Sequence, residues 1–162
     1  IDKFSCFVNP ERPIPQRVIE VTNITDDMVK DAETIDKVFP KMMEFLADSV
    51  IVAHNAGFDM GFLKQNAKRL GYEFDYTYLD TLSLAKDLFP DYKKYKLGKI
   101  AENLGIKVEV AHRALDDVDT TVKVFRIMLD MLKERGAKNL DDIEEVSQTE
   151  EAKKEGYKKL KT

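Results

Sequence analysis

At 162 residues, 43 % of them hydrophobic, the chain has the length and the apolar content for one domain with a buried core. A single cysteine, Cys6, excludes an internal disulfide framework, and no apolar run approaches the ~18 residues of a membrane span, so a reducing cytoplasmic setting without a membrane partner is expected. A net charge of -4 argues against a protein that coats nucleic acid electrostatically, but not against one whose carboxylates recruit divalent cations to meet a phosphate.

The opening Ile1-Asp2-Lys3-Phe4-Ser5-Cys6-Phe7-Val8 has strand character and no initiator Met or signal peptide before it, so it reads as part of a longer polypeptide. Pro13 and Pro15 punctuate the entry to a short helical stretch over 16–21, and Thr25 begins a capped turn. Thr34 caps a stronger helix, with Ile35, Val38, Phe39, Met42, Met43 and Leu46 at amphipathic spacing, ending near Asp48. Val50-Ile51-Val52-Ala53 is a short apolar run without alternation, as in a strand buried on both faces. The chain then turns directly into a helix ending at Leu70 and closed by Gly71. A short strand over 76–79 leads to a helix over 80–89 stopped by Pro90, and another helix spans 97–104, ended by Gly105. From Ala114 to Lys133, Leu115, Val118, Val122, Phe125, Leu129 and Leu132 mark a core-facing stripe. Beyond residue 133 the composition turns to Lys and Glu, which predicts a charged tail over 134–162 with one short helix capped by Asn139. Interleaved strands and helices after residue 48 predict an α/β fold.

Two segments carry candidate chemistry. Asp59, in the first turns of a helix leaving a buried strand, belongs at the strand's C-terminal edge, where α/β sheets bind ligands; the alternative is an Asp that only complements the helix dipole. Asp117 shares its helix face with Ala114, Thr121, Val124 and Met128, whereas Asp116, Asp119 and Lys123 lie on the solvated side. A carboxylate on a mostly apolar stripe is costly unless paired or metal-bound, which favours a functional reading. His112, five residues before Asp117, is a candidate general base, since an imidazole of pKa ~6.5 suits proton abstraction from water. His54 ends a strand and is read as a structural hydrogen-bonding residue.

Ala53-His54-Asn55-Ala56-Gly57-Phe58-Asp59 resembles the second motif of the DnaQ-like 3'-5' exonucleases, and His112-Arg113-Ala114-Leu115-Asp116-Asp117 resembles their third motif in its histidine-containing form. Leu79-Asp80-Thr81-Leu82 and Thr22-Asn23-Ile24-Thr25-Asp26-Asp27-Met28 also resemble family signatures, with Asn23 where a glycine is common, and the likeness covers roughly residues 1–133. Within the family the wording is most similar to the proofreading domain of bacterial replicative polymerases of the PolC type, and the segment 136–142 resembles the stretch through which that domain rejoins the polymerase.

The resemblance implies an RNase H-like three-layer fold, with a mixed central sheet flanked by helices, over 1–133, and a linker toward the polymerase over 134–162. It implies two divalent cations, Mg2+ or Mn2+, with Asp59 and Asp117 among the ligands and His112 deprotonating the attacking water. Asn55, Phe58 and Phe62 would bind a single-stranded DNA 3' end, although aromatic residues at such spacing are more often core. The Tyr92-Lys93-Lys94-Tyr95-Lys96 loop mixes basic and aromatic side chains as single-strand binders do, and equally suits a solvated surface loop.

The family's first motif, an Asp-x-Glu on the opening strand, has no counterpart before Ile1, which implies missing N-terminal strands and an unpaired sheet edge. Asp31-Ala32-Glu33-Thr34 matches its letters but precedes a helix and follows no apolar strand, so it is rejected. Two alternatives stay open: an RNA-trimming or oligoribonucleotide exonuclease of the same family, and a non-catalytic docking module.

Overall fold

The computed structural model describes residues 2–107 and 114–147, whose backbone hydrogen bonding gives ten elements in two units divided at the Ser49–Val50 bond. The first unit holds α1 (Gln16–Thr22), α2 (Asp26–Val29) and α3 (Ile35–Leu46). Asn23 closes α1 in the left-handed conformation, φ 57°, a geometry asparagine tolerates. Asp26 Oδ1 accepts the Ile14 N–H at 2.8 Å and fixes the entry to α1. Val38 and Phe39 supply the buried part of α3, while Ile35, Met42, Met43 and Leu46 are half-buried, as the amphipathic spacing predicts.

The opening segment is not a regular strand. Its one ladder contact among the described residues is an isolated parallel bridge between Asn9 and Thr34, supported by Asn9 N–H to Glu33 O at 2.9 Å and Asn9 Nδ2 to Lys30 O at 2.9 Å. A strand needs a neighbouring strand for its N–H and C=O groups, and residues 2–8 belong to no strand ladder among the described residues. Phe4 instead packs its ring on Phe45 of α3, centroids 5.6 Å apart. Glu33 of the rejected Asp-Ala-Glu-Thr segment is exposed and pairs with Lys41.

The second unit is built on a β-α-β unit: β1 (Ile51–Ala53), α4 (Ala56–Leu70) and β2 (Tyr78–Asp80). The strands are parallel, in the register Ile51 with Tyr78, Val52 with Leu79 and Ala53 with Asp80. Of the mixed central sheet expected above, these two strands are what the described residues form. β1 is half-buried rather than covered on both faces, and among the described residues its strand neighbour is β2.

The helices α5 (Thr81–Leu88), α6 (Leu97–Asn103), α7 (Ala114–Glu134) and α8 (Leu140–Ser147) complete this unit. Leu84, Ala85 and Leu88 of α5, Ile100 and Ala101 of α6, and Val124, Met128 and Leu132 of α7 form one buried cluster. The stripe expected to face the core is thereby corrected: α7 buries Thr120, Val124, Met128 and Leu132, whereas Leu115, Val118 and Val122 are exposed, Val118 at 55 %. Residues four apart drift slowly around a helix, so both stripes are contiguous faces, and α7 turns the i+4 row toward α5 and α6.

The packed core also continues past residue 133. Ala137, Ile143 and Val146 lie against the buried cluster, and α8 packs on α5 and β2. Asn139 and Asp142 cap α8 reciprocally, Asn139 Oδ1 accepting from the Asp142 N–H at 3.0 Å and Asp142 Oδ2 from the Lys138 and Asn139 N–H groups. Residues 148–162 lie outside the described residues.

If α7 is oriented in this way, Met128→Ala removes a fully buried side chain and costs about 2–5 kcal/mol, whereas Val122→Ala costs well under about 1 kcal/mol, measured by urea unfolding. Ile143→Ala should lower stability by about 1–2 kcal/mol, since its half-buried side chain packs on the core; an unchanged midpoint would make α8 a tether instead.

Candidate active-site groove

The C-terminal ends of β1 and β2 lie side by side, which in parallel sheets is where ligands are held. From the end of β1 the chain passes through His54 and Asn55 into α4. Asn55 is the N-cap in the left-handed conformation, φ 66° and ψ 46°, so the strand turns into the helix within two residues. Asp59 follows in the first turn of α4.

At the end of β2, Asp80 is buried, 8 % exposed, and its Oδ1 accepts two backbone N–H groups: Leu82 at 2.9 Å, which caps α5, and Asn55 at 2.8 Å, across from the other strand. Ser83 Oγ donates to Oδ2 at 3.4 Å. The backbone N–H of Asp80 donates in turn to Ser147 Oγ at 2.6 Å.

His54 is structural, as read from the sequence. Its Nε2 bonds the Tyr95 carbonyl at 2.8 Å and its Nδ1 meets Thr81 Oγ1 at 3.0 Å. A carbonyl only accepts, so Nε2 carries the proton, and Nδ1 and the Ala53 carbonyl at 3.3 Å both lie within reach of the single Thr81 hydroxyl proton. Burial pushes its pKa below the usual histidine value, against the opposing pull of the Tyr95 carbonyl and the Asp80 charge. The loop over 91–96 is thus tied to the end of β1. Within it Tyr92 stacks on Phe89, centroids 4.8 Å apart, and Tyr95 Oη donates to Phe89 O at 2.7 Å, so both tyrosines serve the loop's own packing. Lys93, Lys94 and Lys96 are exposed.

These elements border an open groove of about 1430 Å³. Asp59, Asn55 and Asp117 all line it, together with Lys96 and Lys99 from the α6 side and Val118, Val122 and Phe125 from α7. The two motif aspartates, 58 positions apart in the chain, therefore share one cavity wall system. Asp59 is exposed as a side chain, yet crowding on its protein-facing side raises its pKa, and the Asp80 charge acts in the same direction while a backbone hydrogen bond opposes both. Asp117 is half-buried, and Thr121 Oγ1 donates to its backbone carbonyl at 2.8 Å. Phe58 and Phe62, 58 % and 56 % exposed, are not core residues. His112 lies outside the described residues.

Carboxylate oxygens of this kind suit Mg2+ or Mn2+. Two are too few for a pair of ions, and among the described residues no group of three or more His, Cys, Asp or Glu is placed to hold a metal. Asp80 is occupied by backbone donors. Sequence reasoning noted its segment but missed that role; the signal was a Leu-Asp-Thr at the junction of a strand and a helix, where an aspartate caps.

A family model described as "Exonuclease" matches residues 1–125. The chain is 44 % identical over 146 residues to a DNA polymerase III PolC-type from Caldanaerobacter subterraneus subsp. tengcongensis, covering 90 % of this chain and 10 % of that protein. Identity to the DNA polymerase III PolC-type of Clostridium perfringens is 46 % over 134 residues, covering 83 % and 9 %. The chain thus spans about a tenth of the length of the curated relatives it matches. Among solved structures it is similar in fold to exonuclease X in complex with 5' overhanging duplex DNA, with a TM-score of 0.71 at 24 % identity, covering 91 % of this chain and 82 % of that one. Exonuclease I gives a TM-score of 0.68 at 18 % identity, covering 83 % and 36 %. With an RNase H-like α/β fold and a family match over most of its length, the chain belongs to the exonuclease family.

Proposed function

We propose that this chain is the 3'-5' exonuclease domain of a longer PolC-type DNA polymerase, removing nucleoside monophosphates from single-stranded DNA 3' ends to proofread replication in the bacterial cytoplasm. The observation that carries the reading is the convergence of Asp59, Asn55 and Asp117 on one groove at the ends of two parallel strands. Among the described residues no helix is long and apolar enough to cross a membrane.

Exonucleases of this kind are metal-dependent. Asp59 and Asp117 would hold divalent cations, Mg2+ or Mn2+, with further carboxylates supplied by the upstream Asp-x-Glu that the family resemblance implies; bound cations stabilise the attacking and leaving oxygens of phosphodiester hydrolysis. His112, five residues before Asp117 in the sequence, takes the proton of the attacking water. Phe58 and Phe62 offer ring faces to the terminal bases, for which their exposure is the support. Lys96 and Lys99 line the same groove and meet the phosphate backbone. The segment over 134–162 then leads toward the polymerase portion, with α8 held on the exonuclease core before it departs.

One observation favours a second reading, a non-catalytic docking module: of the carboxylates that the described residues bring to the groove, Asp59, Glu102 and Asp117, Glu102 is paired with Lys99, and no three of the described His, Cys, Asp or Glu are placed to hold a metal. Both readings are separated by following nucleotide release from 5'-labelled single-stranded DNA with Mn2+ by the full-length protein. The exonuclease reading predicts 3' shortening that falls at least about a hundredfold in Asp117→Asn and Asp59→Asn, and on the order of 10²–10⁴-fold in His112→Ala. Release unaffected by these changes, or absent from the unaltered protein, contradicts it. Faster release from a matched RNA strand than from DNA would assign the RNA-trimming activity instead.

Phe58→Ala and Phe62→Ala should each raise KM for single-stranded DNA by about tenfold, the equivalent of one lost base-stacking contact, with kcat less affected. Neutralising Lys93, Lys94 and Lys96 together should flatten the salt dependence of DNA binding; an unchanged slope removes the loop from the interface.

A further inference from the structure

We propose that Asp80 is a positioning residue of this site: through the backbone amide of Asn55 it sets the turn that aims Asp59 into the groove. The inference rests on the exonuclease reading for its catalytic consequence, and on geometry alone for the turn.

An aspartate that only caps a helix needs one acceptor oxygen for one N–H near the helix start, and serine or threonine does this as well at the surface. Asp80 does more than that. It is buried as a carboxylate, at a desolvation cost, and no ion pair to it is present among the described residues. Its compensation is a set of donors from two separate elements. Oδ1 takes the Leu82 N–H of its own helix and, 25 residues away in sequence, the Asn55 N–H at the head of α4.

Asn55 is where that second bond matters. It is a left-handed residue at a strand-to-helix junction, a conformation that asparagine tolerates at a modest cost and that a bond from outside the turn can hold in place. Asparagine makes no side-chain cap on α4. The Asp80 bond is the restraint placed directly on Asn55, beside the bonds that hold His54 before it, and because α4 begins at the next residue, any rotation there is carried to Asp59 by a rigid helix. Asp80 is itself held from both directions. Its N–H is donated to Ser147 Oγ, 2 % exposed, and its strand partner is Ala53, two residues before Asn55.

Two substitutions in the full-length protein separate this role from helix capping. Asp80→Ser retains a cap for Leu82 N–H but is too short to reach Asn55, whereas Asp80→Asn keeps an oxygen at the Oδ1 position for both. Hydrogen exchange of the Asn55 amide and exonuclease kinetics are measured on each. In Asp80→Ser, Asn55 loses its protection and kcat falls on the order of 10–100-fold, with KM for DNA within about twofold. In Asp80→Asn, protection persists and kcat stays within about threefold. The proposal is overturned if Asp80→Ser keeps the protection of Asn55 or the kcat of the unaltered protein, or if both variants behave alike. Should the unaltered protein release no nucleotide, the exonuclease reading fails, and the exchange of Asn55 by itself decides whether Asp80 holds the turn.

Discussion

The second unit is organised around one buried carboxylate. Asp80 sits where β2 becomes α5 and accepts hydrogen bonds from the head of α5 and from the head of α4, so two helices leaving two parallel strands are registered by the same oxygen. A buried anion is tolerable only because each of its donors is a backbone or hydroxyl group already fixed by secondary structure. His54 and Thr81 reinforce the same junction from the β1 side, with Thr81 Oγ1 also reaching the Ala53 carbonyl at 3.3 Å. The ends of the strands are thereby held as one piece, and the groove opens on that piece.

The groove's other wall depends on how α7 is turned. Its row of Thr120, Val124, Met128 and Leu132 is driven into α5 and α6, which leaves the neighbouring row of Val118, Val122, Phe125 and Leu129 lining open space beside Val52 and Ala53. Asp117 falls at the boundary between the two rows, half-buried and facing the same space as Asp59. A carboxylate at such a boundary reaches open space and is still fixed by a packed helix, which is the combination a metal site requires.

Much of this was legible from the sequence because local signals governed it. Gly71, φ 78°, ends α4 as expected, and the periodicity of 35–46 gives α3 with Val38 and Phe39 inward. Asp59 at the strand end and Asp117 beside the apolar rows of its helix were singled out from their sequence positions, and both line the groove. The misses have a common origin. Hydrophobic periodicity identifies an amphipathic helix but not which of two adjacent apolar rows meets the core, and α7 carries two. Phe58 and Phe62 look like core by the same spacing and are exposed. Strand character in 1–8 says nothing of a partner, and the charged composition after residue 133 hid Ile143 and Val146, enough apolar surface to seat α8.

The central claim is that two distant segments converge on one divalent-cation site. Paramagnetic broadening by substoichiometric Mn2+ in amide spectra of the protein tests it most directly. Convergence predicts that signals of 55–60 and 115–121 broaden together and that Mg2+ reverses both in parallel. Broadening confined to one of these segments, or centred on the acidic surface of α2 or α8, would contradict it.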